Sequence, residues 1–80
     1  MPPFGFTAYF ENEVLRKRPY LQRRWCVDVV LAPIQIQHQP NGRIRFWGFI
    51  PELPGYYLRL VTLADGVTIH NAFLDRRFQR

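Results

Sequence analysis

The 80-residue chain has a single cysteine, Cys26, a single lysine, Lys17, and only six acidic residues. One thiol closes no internal disulfide, so the sequence does not read as a small stapled domain of an oxidising compartment, and a reducing, cytoplasmic setting is expected. No stretch approaches the roughly 18 consecutive apolar residues of a membrane helix. The start, Met1-Pro2-Pro3-Phe4, shows neither the basic nor the apolar region of a secretory signal. No glycine-rich loop leads into a helix, so the nucleotide-binding fingerprints are missing and no cofactor is expected. The two histidines, His38 and His70, and the lone cysteine are widely separated and without ligand spacing, which argues against zinc and leaves no metal site expected. Close pairs of carboxylates, repeats and low-complexity segments are also lacking.

What the chain has instead is arginine and aromatic rings. Ten of its eleven basic residues are Arg, and the net charge is +5. Arg presents a planar fork that pairs bidentately with phosphate, whereas Lys is a hydrated point charge. Such a balance fits a polyanion or an acidic protein as partner, and equally a basic surface kept only for solubility. Thirteen residues are aromatic, and Phe46, Trp47, Phe49, Tyr56 and Tyr57 fall close together. A domain this small buries only about 60% of its unfolded surface, so it needs a core this dense in large apolar groups.

Periodicity orders the chain as one domain, residues 1–80, of α+β class. Residues 4–6 read as a short edge strand or as a lead-in. Thr7 is placed to cap a helix over 8–18, with Glu11 and Glu13 early and Arg16, Lys17 and Arg18 late, as the helix dipole favours. Pro19 ends it. A second helix over 21–31 carries Leu21, Trp25, Cys26, Val29 and Val30 on one face and stops before Pro33. The short link at Pro19-Tyr20 makes the two a hairpin. The period then changes to two. Strands are predicted at 34–39, 43–47, 56–63 and 67–73, with hairpin turns at Pro40-Asn41-Gly42 and Ala64-Asp65-Gly66. Gly48 marks a bulge in this reading, and 50–55 is a loop. The expected architecture is a two-helix hairpin packed on one face of a four-stranded antiparallel sheet, with a short extra N-terminal strand as an option.

Alternation assigns Ile34, Ile36, Ile44, Phe46, Leu58, Leu60, Val67, Ile69 and Phe73 to the helix-covered face. The other face collects Gln35, Gln37, Arg43, Arg45, Trp47, Tyr57, Arg59, Thr68 and His70, and a bulge in the third strand would reverse part of this sorting. Guanidinium groups neutralise phosphates and aromatic rings stack bases, so Arg43, Trp47 and Tyr57, with Arg76 and Arg77 of the basic tail, are the expected nucleic-acid contacts. His70 is suited to move a proton near neutral pH, and Arg45 and Arg59 to stabilise a pentavalent phosphorane. Together these three are the candidate catalytic group for metal-independent RNA cleavage. The same residues also read as an ordinary solvated strand surface, with Arg paired to Gln or Asp65. On that view His70 only hydrogen-bonds Asp75 or a backbone carbonyl. Cys26, on the apolar stripe, reads as a small buried hydrophobe.

Arg43-Ile44-Arg45-Phe46-Trp47-Gly48, Leu58-Arg59-Leu60-Val61 and His70-Asn71-Ala72-Phe73 resemble small prokaryotic domains grouped with the RelE-like toxins, of the barnase–EndoU–colicin–RelE type of fold. The resemblance spans Thr7 to Phe78 and includes Pro33 and Gly42-Arg43. It implies a toxin-type endoribonuclease of a toxin–antitoxin pair, acting on free or ribosome-bound mRNA and neutralised by a small acidic antitoxin protein. The fold also hosts toxins with protein targets such as a topoisomerase, and proteins without nuclease activity. The alternative function is a non-enzymatic basic module that binds an acidic protein or nucleic acid. In the group a His commonly begins the first helix. Here that region reads Ala8-Tyr9-Phe10-Glu11, so the proton-transfer role would fall to His70.

Overall fold

A computed structural model describes residues 4–78. After a two-residue strand β1 (Gly5–Phe6), Thr7 starts the first helix. Its Oγ1 accepts the Phe10 N–H at 3.1 Å and its carbonyl accepts the Glu11 N–H at 3.0 Å, the geometry of an N-cap. Helix α1 (residues 8–17) widens to a π-helix over Phe10–Val14, where the Leu15 N–H reaches back to the Phe10 carbonyl. Both ends of that widened stretch, Phe10 and Val14, are buried. Arg18 leaves the helical region ahead of Pro19, as the proline demands.

Helix α2 (Arg23–Leu31) begins two residues later than the sequence pattern suggests, because Gln22 is extended. Leu21 is buried ahead of the helix rather than within it. The two helices are tied by Glu11, whose carboxylate accepts bonds from Arg23 Nε at 2.9 Å and Nη2 at 2.6 Å.

The remaining strands are β2 (Gln35–His38), β3 (Ile44–Phe49), β4 (Tyr57–Thr62) and β5 (Thr68–Asp75). They form the expected antiparallel meander, and β1 adds a parallel fifth strand beside β5, giving the order β1-β5-β4-β3-β2. The sheet is therefore mixed. Among the described residues no helix is long and apolar enough to cross a membrane. The Pro40-Asn41-Gly42 turn closes the β2–β3 hairpin, with Gly42 at φ +88° and the Arg43 N–H held by Asn41 Oδ1.

Three expectations about the sheet are corrected. Gly48 is not a bulge: it pairs in regular register with Leu58. A Cβ there would lie 2.7 Å from Val29 Cγ2, so the residue is glycine because α2 packs directly onto β3. Ile36 lies on the helix side but is 49% exposed, and the whole of edge strand β2 is exposed with it. Phe73 is not on the helix-covered face. Val61 pairs with Asn71 and Thr62 with Ile69, which leaves His70 without a partner. This extra residue is a bulge in β5, the last strand rather than the third. It shifts the alternation by one, so Ile69 and Ala72 are both fully buried while Phe73 turns to the opposite face.

The core comprises Phe10, Val14, Leu21, Trp25, Cys26 and Val29 from the helical layer against Phe46, Leu58, Leu60, Ile69 and Ala72 of the sheet, with Ile50 of the β3–β4 loop inserted beneath. Burial pushes the Cys26 thiol up to about 12, which leaves it inert as a nucleophile. Gly48→Ala should cost about 1–3 kcal/mol by overpacking. In Gly48→Ala/Val29→Ala the loss should be smaller than the sum of the single losses, because the second change opens the space the first one fills. Urea denaturation of the four proteins measures this, and strict additivity would contradict the packing described.

Candidate nucleic-acid interface

The face away from the helices is built in cross-strand rows. Gln35, Trp47, Arg59 and Phe73 form one, and Gln37, Arg45, Val61 and Asn71 the next. Phe49, Tyr57 and Asp75 form a third. Arg45 and Arg59 thus stand diagonally across neighbouring strands, close enough to repel. Burial first, and then the Arg45 charge, pull the Arg59 guanidinium below its ordinary value, with Asp75 opposing. Each guanidinium lies over an aromatic ring: Arg59 is 4.3 Å from the Phe73 centroid, and Arg45 is 5.8 Å from that of Trp47. Arg18 reaches the Phe73 ring as well, at 5.7 Å.

Carboxylates are scarce on this face. Glu13, Glu11 and Glu52 are engaged by Arg16, Arg23 and Arg24, and Asp65 accepts the Val67 and Thr68 N–H groups within its own turn. Asp75 alone approaches the arginine pair, 3.9 Å from Arg59. Among the described residues Arg43, Arg45, Arg76 and Arg77 have no carboxylate within ion-pair distance. Arg45 Nη1 donates to Gln37 Oε1 at 3.1 Å, while Arg45 Nε and Arg59 Nε are buried without a partner. Buried donors on adjacent like charges favour an anion that would satisfy both.

Asp75 also accepts the Trp47 Nε1–H at 3.1 Å and the Arg77 N–H at 3.0 Å. Burial resists its ionisation, but these two bonds and the Arg59 charge together hold the carboxyl below the usual range. The turn they enforce lays Phe78 on Trp47, with centroids 5.3 Å apart, and edge-on to Tyr57 at 5.2 Å. Trp47 is only 6% exposed as a result. An open cleft of about 410 Å³ lies alongside, lined by Arg59, Phe73, Leu74, Asp75, Arg76 and Arg77.

The three candidate catalytic residues lie on three successive strands, Arg45 on β3, Arg59 on β4 and His70 on β5. Arg45 and Arg59 are neighbours. His70 sits at the β1 edge of β5, where Nδ1 is 3.0 Å from Thr7 Oγ1 and the ring stacks on Tyr9 at 4.9 Å. Among the described residues no hydrogen bond or ring contact joins His70 to either arginine, and its partner is neither Asp75 nor a carbonyl. The charge acting on it is that of Arg43. Thr7 Oγ1 accepts from Phe10 and keeps both its hydrogen and a second lone pair, so it pairs with Nδ1 in either neutral tautomer of the ring. Of the expected binding residues, Trp47 and Tyr57 hold Phe78, and Arg76 and Arg77 line the cleft. Arg43 flanks the β2–β3 turn. Sequence reasoning missed Phe73, Asp75 and Phe78. For Asp75 a signal existed, a lone acid within a basic tail, whereas Phe73 was hidden by the bulge.

Burial, then Arg43, lower the His70 pKa below the ordinary 6.5. Between those two values the unfolded chain binds more protons, so this contribution to stability is present above the window and lost as pH falls through it. Arg43→Gln should raise the His70 midpoint in an NMR titration without restoring the ordinary value; an unmoved midpoint would contradict the placement. Thr7→Ala should cost about 1 kcal/mol through the lost cap. No family model matches the chain, and neither the curated proteins nor the solved structures yield a significant match.

Proposed function

We propose that the chain binds single-stranded RNA across the open sheet face. The observation that supports this reading most is the Arg45–Arg59 pair, laid on the Trp47 and Phe73 rings and short of carboxylate partners. Phosphates relieve the repulsion between the guanidiniums, and exposed bases stack on aromatic surface in a way that tolerates any sequence. An acidic peptide would satisfy the charges but would leave the rings without a planar partner.

Affinity for a single-stranded oligoribonucleotide should fall steeply with salt. Each phosphate contact removed should lower the log–log slope by about 0.7–1. Arg45→Ala and Arg59→Ala should each do so, while Arg24→Ala, on the helix side, should not. Salt-independent binding, or tight binding only to acidic proteins, would overturn the reading.

Cleavage of the bound RNA is a second reading, favoured by the seating of His70 between Thr7 and Tyr9 with its neutral form preferred. In it His70 is the tautomer whose Nδ1–H donates to Thr7 Oγ1. Its Nε2 takes the 2′-hydroxyl proton, the oxygen attacks the adjacent phosphorus, and the 5′-oxygen leaves with a proton taken from water, giving a cyclic phosphate. Arg43 is the cation whose charge acts on His70, and in this reading Arg45 and Arg59 hold the strand. His70→Ala should lower such cleavage by roughly 10²–10⁴-fold with binding intact. Undiminished cleavage would remove His70 from the role. In the toxin form of this reading, a small acidic protein covers the same basic face, and growth arrest on induction would be relieved by the neighbouring reading frame.

A further inference from the structure

The surface best suited to hold a nucleotide is filled by the chain's own C-terminal turn. Phe78 lies nearly parallel to Trp47, with an interplanar angle of 20° at 5.3 Å, and meets Tyr57 edge-on. Three residues earlier, the Asp75 carboxylate faces Arg59 and binds the Trp47 indole N–H. The two groups thus set a planar ring on an aromatic platform and an anion beside a guanidinium. These are the two recognition elements of a nucleotide, base and phosphate.

Resting on the RNA-binding reading above, we infer that the turn formed by residues 75–78 is an internal occupant of a nucleotide subsite, which RNA opens by lifting Phe78 off Trp47. Besides the Phe78 ring contacts, the turn is held by Arg76 over the Tyr56 ring at 5.3 Å and by backbone N–H bonds to the Asp75 carboxylate. The Asp75–Arg59 approach is 3.9 Å, the longest of the ion pairs among the described residues. The Arg77 N–H bond to Asp75 lies on an exposed segment. The Asp75 backbone is held in β5, so opening swings away the chain beyond it and turns the Asp75 carboxylate off Arg59. A base then replaces the Phe78 ring on Trp47. A phosphate takes Arg59, whose Nε has no partner in the closed form.

The test is fluorescence anisotropy with a labelled single-stranded oligoribonucleotide at fixed ionic strength, on the wild-type chain, Phe78→Ala and Phe78→Tyr. An aromatic pair of this kind corresponds to roughly a two- to tenfold change in an equilibrium. Phe78→Ala should therefore bind two- to tenfold tighter than wild type, and Phe78→Tyr, which keeps the ring, should stay near wild type. Unchanged or weaker binding by Phe78→Ala would overturn the inference and leave the RNA-binding reading standing. Absence of binding by all three would overturn both. A second measurement needs no variant: nuclear Overhauser contacts between the Phe78 and Trp47 rings should vanish in the wild-type chain saturated with the oligoribonucleotide. Their persistence at saturation would likewise overturn it.

Discussion

Strand β5 carries one residue more than β4 between Ile69 and Asn71, and most of the molecule's surface follows from that residue. Without it, alternation would send Phe73 into the core and Ala72 outward. With it, Ile69 and Ala72 both face the helices, and Phe73 becomes the ring on which Arg59 rests. The residue left without a cross-strand partner is His70, whose side chain turns to the Thr7 cap and the Tyr9 ring. A bulge thus couples the start of α1 to strand β5 and determines which chemistry each face displays.

The second determinant is where the few carboxylates are placed. Three of the six sit against arginines of the helical layer, Asp65 is absorbed by its own turn, and Asp75 alone faces the arginines of the sheet. Charge on the helical side is therefore largely compensated and contributes little to stability, as exposed pairs generally do. On the sheet side, repulsion between Arg45 and Arg59 is tolerated because aromatic rings support both guanidiniums. Such an arrangement is what the proposed binding of an external anion calls for.

The elements themselves were legible in the sequence because each has a local cause. Thr7 caps, Pro19 and Pro33 stop, and Asn41-Gly42 turns. Period two appears wherever one sheet face is buried. What escaped depends on tertiary contact. Gly48 looks like a bulge by composition, but its reason is Val29 on another element. The β5 bulge has no composition signal, since His70 and Asn71 are ordinary strand residues, and one slipped residue inverts the assignment of Phe73. Likewise the parallel pairing of β1 with β5 joins the two ends of the chain, and two residues carry too little pattern to announce it. Arg45, Arg59 and Trp47 were found because β3 and β4 pair in unbroken register and alternate cleanly. The grouping of His70 with Arg45 and Arg59 rested on strand adjacency alone, and the contacts of His70 run to Thr7 and Tyr9 instead.

The most direct test of the account is chemical-shift mapping of the ¹⁵N-labelled chain titrated with a single-stranded oligoribonucleotide at low salt. The account predicts that the largest changes fall on Arg45, Trp47, Arg59 and Phe73 and on the Trp47 indole N–H, with Arg23, Arg24 and the rest of α2 nearly still. Changes centred on the helical face, or a spectrum left unmoved by RNA at concentrations that saturate other basic single-strand binders, would contradict it.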